Sequence, residues 1–166
     1  MKYIFLLLAI VTFQSCGSYG FSGFKPIKAE TFQVSRFENN AILVEPGLEQ
    51  DFQNALQDRI LDQTNYSLAT SKADLIYEGE ITRYTVSPTT STSDNRAAQN
   101  RLTIGVKIRF YNTNNEEDNE EKNFSFFYDY PSNSQLVGEQ KATVHEEIFE
   151  HLTQDIVNVT LSKWES

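Results

Sequence analysis

The sequence predicts an α+β fold, with two helices packed on one face of a roughly four-stranded mixed sheet as a two-layer sandwich. Several segments alternate apolar and polar side chains, which indicates strands buried on one face only. Two other segments repeat apolar residues at helical spacing, one near the start of the folded part and one at its end. Two amphipathic helices and a half-buried sheet cover each other most economically in two layers.

The first predicted elements are a strand and a helix. Phe32 and Val34 alternate with polar residues in 31–37, as is typical of a strand. Pro46 and Gly47 then open a helix. Its apolar stripe consists of Leu48, Phe52, Ala55, Leu56 and Ile60. Residues 66–70 form either a short strand or the lead into the next strand.

Two long strands and a hairpin occupy the middle of the chain. Residues 73–86 form one strand, and 87–99 are rich in Ser, Thr, Asp and Asn, which predicts a loop. Residues 101–111 alternate strictly, with five apolar residues on one face. Residues 124–130 alternate again and predict a hairpin partner. The last helix runs over about 140–162, with a stripe of Val144, Ile148, Leu152, Ile156 and Val159.

Composition excludes several functions. The 166 residues carry 14 Lys+Arg against 23 Asp+Glu, a net charge of -9, and phosphate backbones need a basic footprint, so we expect no nucleic-acid partner. His145 and His151 are six apart, which is not the spacing that puts two imidazoles on one metal; we expect both at the solvated surface. With no nucleophile elbow and no phosphate loop, the sequence predicts neither an enzyme nor a cofactor.

The N-terminus has the pattern of an export and anchoring signal. Lys2 precedes an apolar run over 4–11, which is too short to span a membrane and typical of a secretory signal. The only cysteine, Cys16, follows directly after it in a segment that resembles a bacterial lipobox, although Phe13 stands where Leu is usual. The resemblance implies cleavage before Cys16 and acyl chains on its sulfur. The alternative is a plain signal peptide with an incidental cysteine.

These features divide the chain into three parts. Residues 1–15 form the lipoprotein signal peptide, and 16–30 form a lipidated lead-in that contains three glycines between 17 and 23. Residues 31–166 form a single α+β domain. Two or more acyl chains on Cys16 hold a protein stably at a membrane.

Basic side chains are grouped despite the acidic composition. If the strands over 73–86 and 101–111 pair antiparallel, Glu80 lies opposite Lys107 and Glu78 opposite Arg109. The same register leaves Arg101 opposite Val86, without a carboxylate. We expect Arg83, Arg96 and Arg101 to form a cationic patch that contacts phosphate or another anion, because guanidinium groups suit phosphate. Scattered surface charge is the alternative.

Three segments resemble the LptE-type lipopolysaccharide-assembly lipoproteins of the Bacteroidetes group. Residues 16–23 (Cys-Gly-Ser-Tyr-Gly-Phe-Ser-Gly) are similar to the family opening Cys-Gly-x-Tyr-Ser-Phe-x-Gly, with Gly20 in place of Ser. Residues 78–84 (Glu-Gly-Glu-Ile-Thr-Arg-Tyr), with Pro88 downstream, and 100–104 (Asn-Arg-Leu-Thr-Ile) are similar too. Together these segments extend over most of the chain that follows the signal peptide.

The resemblance implies a lipoprotein of the outer membrane, anchored through Cys16 and facing the periplasm and a barrel lumen. It implies a plug inside the β-barrel partner LptD, where the pair places lipopolysaccharide in the outer leaflet. The alternative is a periplasm-facing lipoprotein that binds another envelope component or a small amphiphile, without a barrel partner. A large apolar pocket between helices and sheet favours that alternative, and a solid core favours the plug.

Overall fold

The computed structural model describes residues 24–89 and 99–164. The elements are β1 (Phe24–Pro26), β2 (Thr31–Val34), β3 (Glu38–Asn39), α1 (Leu48–Gln63), β4 (Ser67–Leu68), β5 (Leu75–Thr89), β6 (Gln99–Asn112), β7 (Glu120–Pro131), α2 (Gly138–Leu161) and β8 (Ser162–Trp164). A 3-10 turn, Glu116–Asp118, lies in the β6–β7 connection. The predicted α+β sandwich is confirmed.

The main sheet has six strands and not four. Its order is β4-β2-β5-β6-β7, and β3 pairs with β5 beyond the end of β2. Strands β2, β3 and β4 pair parallel with their neighbours, whereas β5, β6 and β7 pair antiparallel, so the sheet is mixed. The strands β3 and β4 have two residues each. β4 lies within the segment 66–70, for which the sequence allowed a short strand, whereas β3 is too short for an alternating pattern to show. Separately, β1 and β8 form an antiparallel two-stranded ribbon.

The predicted register between β5 and β6 is confirmed over half of its length. Glu78 lies opposite Arg109 and Glu80 opposite Lys107. The register then shifts between Ile81 and Arg83, because Thr82 is an extra residue in β5, as in a β-bulge. Arg101 is therefore opposite Ser87 and not Val86, which corrects the prediction by one residue.

Both helices pack on the same face of the sheet and run parallel to each other. The rings of Phe52 in α1 and Phe149 in α2 meet edge to face with centroids 5.3 Å apart. About two turns further along α1, Arg59 Nε donates to Thr153 Oγ1 of α2 at 3.3 Å. Aromatic packing near the start and polar contacts near the end therefore fix the spacing of the helices.

The interior between helices and sheet is filled by side chains. Tyr77, Phe110 and Phe52 are fully buried there, together with aliphatic residues from both helices and the three long strands. Phe37 packs directly over Gly79, where an added Cβ would lie 2.6 Å from the Phe37 ring. No buried side-chain nitrogen or oxygen within the described residues lacks a hydrogen-bond partner. None of the described helices is long and apolar enough to cross a membrane.

Candidate functional site

The second face of the sheet is covered by neither described helix and carries two of the predicted site residues, Arg83 and Arg101. Strict alternation along β5, β6 and β7 puts the polar half of each strand on this side. We call this surface the open face. Its central residues are Glu78, Glu80, Arg83, Thr85 and Ser87 from β5, Arg101, Thr103, Gly105, Lys107 and Arg109 from β6, and Glu121, Asn123, Ser125, Phe127 and Asp129 from β7.

Arg101 is held by its β7 neighbours. Its Nε donates to Asp129 Oδ1 at 2.7 Å and its Nη2 to Asp129 Oδ2 at 2.8 Å, a two-pronged ion pair. Its guanidinium also lies 3.6 Å from the centroid of the Phe127 ring, a cation–π geometry. The hydrogen bond from Arg101 lowers the pKa of Asp129. The carboxylate that the sequence did not place opposite Arg101 is thus supplied by the other neighbouring strand.

The remaining cations of β6 are also paired. Lys107 Nζ lies 2.7 Å from Glu121 Oε1 of β7. Arg109 lies between two carboxylates of β5, at 3.8 Å from both Glu78 and Glu80. These contacts make the open face polar and locally neutral, because every β6 cation has an acidic neighbour on an adjacent strand.

Arg83 differs from these three cations. It follows the Thr82 bulge, is exposed, and forms no ion pair with any described residue. It lies opposite Gly105, where an added Cβ would come within 3.1 Å of the Arg83 Cβ. The absence of a side chain at Gly105 therefore lets Arg83 lie close against β6.

The structure puts Arg83 and Arg101 on the same face without bringing them into contact. Arg83 lies opposite Gly105 of β6. Gly105 and Arg101 are four residues apart, which is about 13 Å along a strand. Arg96 and Cys16 lie outside the described residues. An anion that engages Arg101 has to compete with Asp129, whereas Arg83 faces no such competitor within 24–89 and 99–164.

The two histidines occupy different environments, which corrects the expectation that both are solvated. His145 is buried, its Nε2 lies 3.1 Å from Tyr84 Oη, and burial lowers its pKa. His151 is exposed and stacks on Phe126 with ring centroids 4.0 Å apart. Both residues act in packing, since α2 lies against the inner faces of β5 and β7.

A groove of about 620 Å³ runs between the two helices on the outer surface. Ala55, Ala142 and Phe149 are the apolar parts of its lining, and five charged side chains also border it: Asp51, Arg59, Lys141, Glu146 and Glu150. It is therefore a charged surface cleft outside the core and not an apolar pocket between helices and sheet.

The sequence analysis missed one exposed apolar feature. Ile42, Leu43 and Val44, between β3 and α1, are 106%, 54% and 58% exposed. We call these three residues the aliphatic tip. The signal was available in the sequence, because three consecutive aliphatic residues precede the Pro46-Gly47 turn without belonging to a strand or helix pattern.

Comparison with known proteins gives a family match over most of the chain. The model of the family described as "LptE: Lipopolysaccharide-assembly" matches residues 29–160. No curated protein sequence gives a significant match.

Solved structures share the fold at low sequence identity. The hypothetical protein CT253 from Chlamydia trachomatis matches with a TM-score of 0.54 and 8% identity, over 80% of this chain and 98% of its own. Protein XCC0632 from Xanthomonas campestris matches with a TM-score of 0.54 and 14% identity, over 82% of this chain and 86% of its own. At these identities the matches show a common architecture of sheet and helices.

Proposed function

Because the matching model covers most of its length, the chain belongs to the LptE family of lipopolysaccharide-assembly proteins, and we propose that it is the lipid-anchored plug of an LptD-like β-barrel. In this role it supports transport of lipopolysaccharide and its insertion into the outer leaflet. It is anchored through Cys16 in the outer membrane and faces the periplasm and the barrel lumen. The role is structural and requires no catalysis.

The observation that carries this proposal is the family match, and the solid core supports it. The side chains between helices and sheet are buried against one another. The groove of about 620 Å³ has a charged border, and a smaller cavity of about 340 Å³ lies where α1 and α2 end. A carrier of small amphiphiles needs an apolar pocket. A plug needs a rigid body, because it has to hold its shape against a surrounding wall.

The size of the domain fits a large barrel. A compact chain of about 150 residues has a radius of gyration of about 15 Å and hence a diameter of about 38 Å. A 26-strand barrel with strands about 4.8 Å apart and tilted about 40° is roughly 52 Å across, which leaves about 40 Å after lumen side chains are subtracted. A 16-strand barrel would leave only about 22 Å by the same arithmetic. The domain fits the first lumen and not the second.

The open face is the surface that we assign to the barrel wall, together with the connection between β5 and β6. Barrel interiors are polar, and the open face offers hydroxyl groups, paired charges and the half-exposed ring of Phe127 (45% exposed). Such a surface makes hydrogen bonds to a polar lumen, and Arg101, Lys107 and Arg109 bring their own acidic partners to it. The helical face is then directed away from this part of the wall.

Co-purification tests the barrel contact. Thr85→Arg places a long cation on the open face, and Thr143→Arg makes the same change at an exposed position of α2. We expect the first variant to lose most of the barrel in a detergent-extracted pull-down and the second to retain it. Absence of any barrel with the unaltered protein would refute the plug role, and equal retention by both variants would refute the choice of face.

For lipopolysaccharide contact we propose the patch of Arg83, Arg96 and Arg101. Arg83 supports it best, because it is exposed and has no acidic partner in the described residues. Replacing all three by Gln should weaken binding of purified lipopolysaccharide, and Arg83→Gln alone should account for more of the loss than Arg101→Gln. Binding that is unchanged in the triple variant would remove the patch from the proposal.

A further inference from the structure

The aliphatic tip is a braced loop and not an irregular excursion of the chain. The Asn39 side chain closes its base, because its Oδ1 accepts from Ala41 N at 3.3 Å and its Nδ2 donates to the Glu45 carbonyl at 3.2 Å. Ala41 itself is buried. The three side chains of the tip are therefore held outward by a formed structure, although burying them would be favourable.

A second aliphatic side chain and a neutralised charge lie beside the tip. Lys141 Nζ contacts Glu45 Oε1 at 2.7 Å, so the start of α2 is next to the residue that follows Val44. One helical turn before Lys141, Val137 is 61% exposed. The end of the molecule that carries both helix starts thus presents aliphatic side chains around an ion pair.

The shape of the tip favours a fluid partner. Ile42 is completely exposed and stands out from the surface, so a protein partner would need a matching pocket, whereas the acyl region of a bilayer closes around any small protrusion. Exposed apolar groups that protrude from a soluble domain are typical of membrane or protein contacts. Of these two kinds of contact, we choose the membrane, because the expected lipid anchor at Cys16 holds the protein beside one.

The expected lipid anchor keeps the tip within reach of a bilayer. Residues 17–23 are all that separate Cys16 from β1, so the domain starts at most about 27 Å from the membrane surface. A tether of this length makes a second, weak contact effectively intramolecular. A few aliphatic side chains therefore suffice, although they would not hold a free protein on a membrane.

The tip and the tether are at opposite ends of the molecule. The tip lies beside the start of α2, and β1 pairs with β8, which follows the end of α2. The 24 residues of α2 are about 36 Å long. Contacts at both ends place the long axis of the helices along the membrane surface.

We propose that Ile42, Leu43 and Val44 insert into the acyl region of a phospholipid bilayer and form a second membrane contact of the anchored protein. The inference rests on the lipid anchor of the proposed function and not on the barrel partner. It describes the protein before it enters a barrel, lying along the leaflet that holds its anchor.

Fluorescence from a single labelled position tests this insertion. Cys16 is the only native cysteine, and acylation removes its thiol, so Leu43→Cys in the full-length lipoprotein takes up bimane at one site. Thr85→Cys on the open face is the matched control. The protein is reconstituted into zwitterionic phosphatidylcholine vesicles, because a chain of net charge -9 would be repelled by an anionic surface. Flotation and labelling of the unaltered protein first verify the anchor.

In vesicles we expect the label at residue 43 to shift to the blue, to be quenched by nitroxides on lipid acyl chains, and to be protected from iodide. The label at residue 85 should show none of these changes, and replacing Ile42 and Val44 by Ser should reduce them at residue 43. A label at residue 43 that stays open to iodide in floated vesicles overturns the proposal. So does protection that arises only when purified barrel is added, since the tip would then be a protein interface. An unmodified Cys16 thiol would instead point to failure of the anchor.

Discussion

At the scale of single residues, Arg101 shows how a cation at the surface can be fully paired with its neighbours, so that a ligand has to displace them. The hydrogen bonds from its guanidinium hold the pKa of Asp129 below its ordinary value. Since that pKa is lowered on folding, the pair contributes stability above the ordinary value of 3.8, and the contribution is lost as the pH falls through the lower folded value. The pair therefore stays closed under mildly acidic conditions.

Asp129→Asn should release Arg101 and strengthen binding of lipopolysaccharide or inorganic phosphate. The matched control is Glu121→Gln, which removes one negative charge from the same face but frees Lys107 instead. Titration with each ligand at fixed salt measures both variants, because charge contacts depend on ionic strength. An equal gain in the two variants would mean that net charge, and not the Arg101 site, controls the affinity.

His145 is the residue whose protonation should couple to folding. Burial lowers its pKa, with Lys141 contributing in the same direction and Glu45 and Asp51 opposing. The folded protein thus holds the imidazole neutral, whereas the unfolded chain takes up a proton near the ordinary value of 6.5. Its contribution to stability is full above that value and decreases as the pH falls below it.

We therefore expect Tm to fall between about pH 7.5 and pH 5.5, and His145→Gln to reduce this dependence because Gln can bond to Tyr84 but does not titrate. Thermal unfolding followed by circular dichroism at both pH values measures the effect. His151→Gln is the control, since His151 is exposed. If the slope with pH is the same in all three proteins, the imidazole of His145 is not the group responsible.

At the scale of elements, the packing of β5 against its neighbours depends on Gly79, which has no side chain. An added Cβ at Gly79 would lie 2.5 Å from the Lys107 carbonyl oxygen and 2.6 Å from the Phe37 ring. The ring belongs to the β2–β3 connection and is itself 1% exposed. Close approach of Phe37 to the backbone thus joins the parallel part of the sheet to its antiparallel part.

Gly79→Ala should destabilise the domain by about 1–3 kcal/mol, because the clash is with backbone and with a confined ring. Urea unfolding compares it with Gly105→Ala, where the nearest atoms are the Arg83 and Thr82 side chains at 3.1 and 3.2 Å. We expect a smaller loss at Gly105, since contacts of 3.1 and 3.2 Å need a shift of only a few tenths of an ångström to be relieved. A loss at Gly79 no greater than that at Gly105 would contradict this account of the Phe37 contact.

The elements also show what the sequence could and could not predict. Alternation and helical spacing predicted the hairpin, the two helices and the Glu78–Arg109 pairing, because each depends on a repeating local pattern. The bulge at Thr82 interrupts such a pattern by one residue and shifted the partner of Arg101. The Asp129 partner was missed because it requires the register of a second strand pair, and the burial of His145 depends on how α2 is rotated over β5.

At the scale of the whole molecule, the helical layer and the sheet differ in role. The helical layer closes a solid core, and the open face of the sheet exposes paired charges and hydroxyl groups. Among the apolar side chains that remain exposed in the described residues, Ile42 is the most exposed, and Leu43, Val44 and Val137 lie at the same end of the molecule. A domain with a polar open face, a packed helical layer and an apolar end is suited to lie between a protein lumen and a lipid phase.

The anchor and the plug should be separable, because the side chains between 27 and 161 already form a continuous core among the described residues. Cys16→Ser should leave the far-ultraviolet circular dichroism and the Tm unchanged, yet move the protein from the membrane to the soluble periplasmic fraction in cells without the barrel. With the barrel present, some protein should still co-purify, in smaller amount, since the tether raises the local concentration of the plug. Membrane association of Cys16→Ser without the barrel would contradict the anchor, and complete loss of co-purification would show that the open face does not bind unaided.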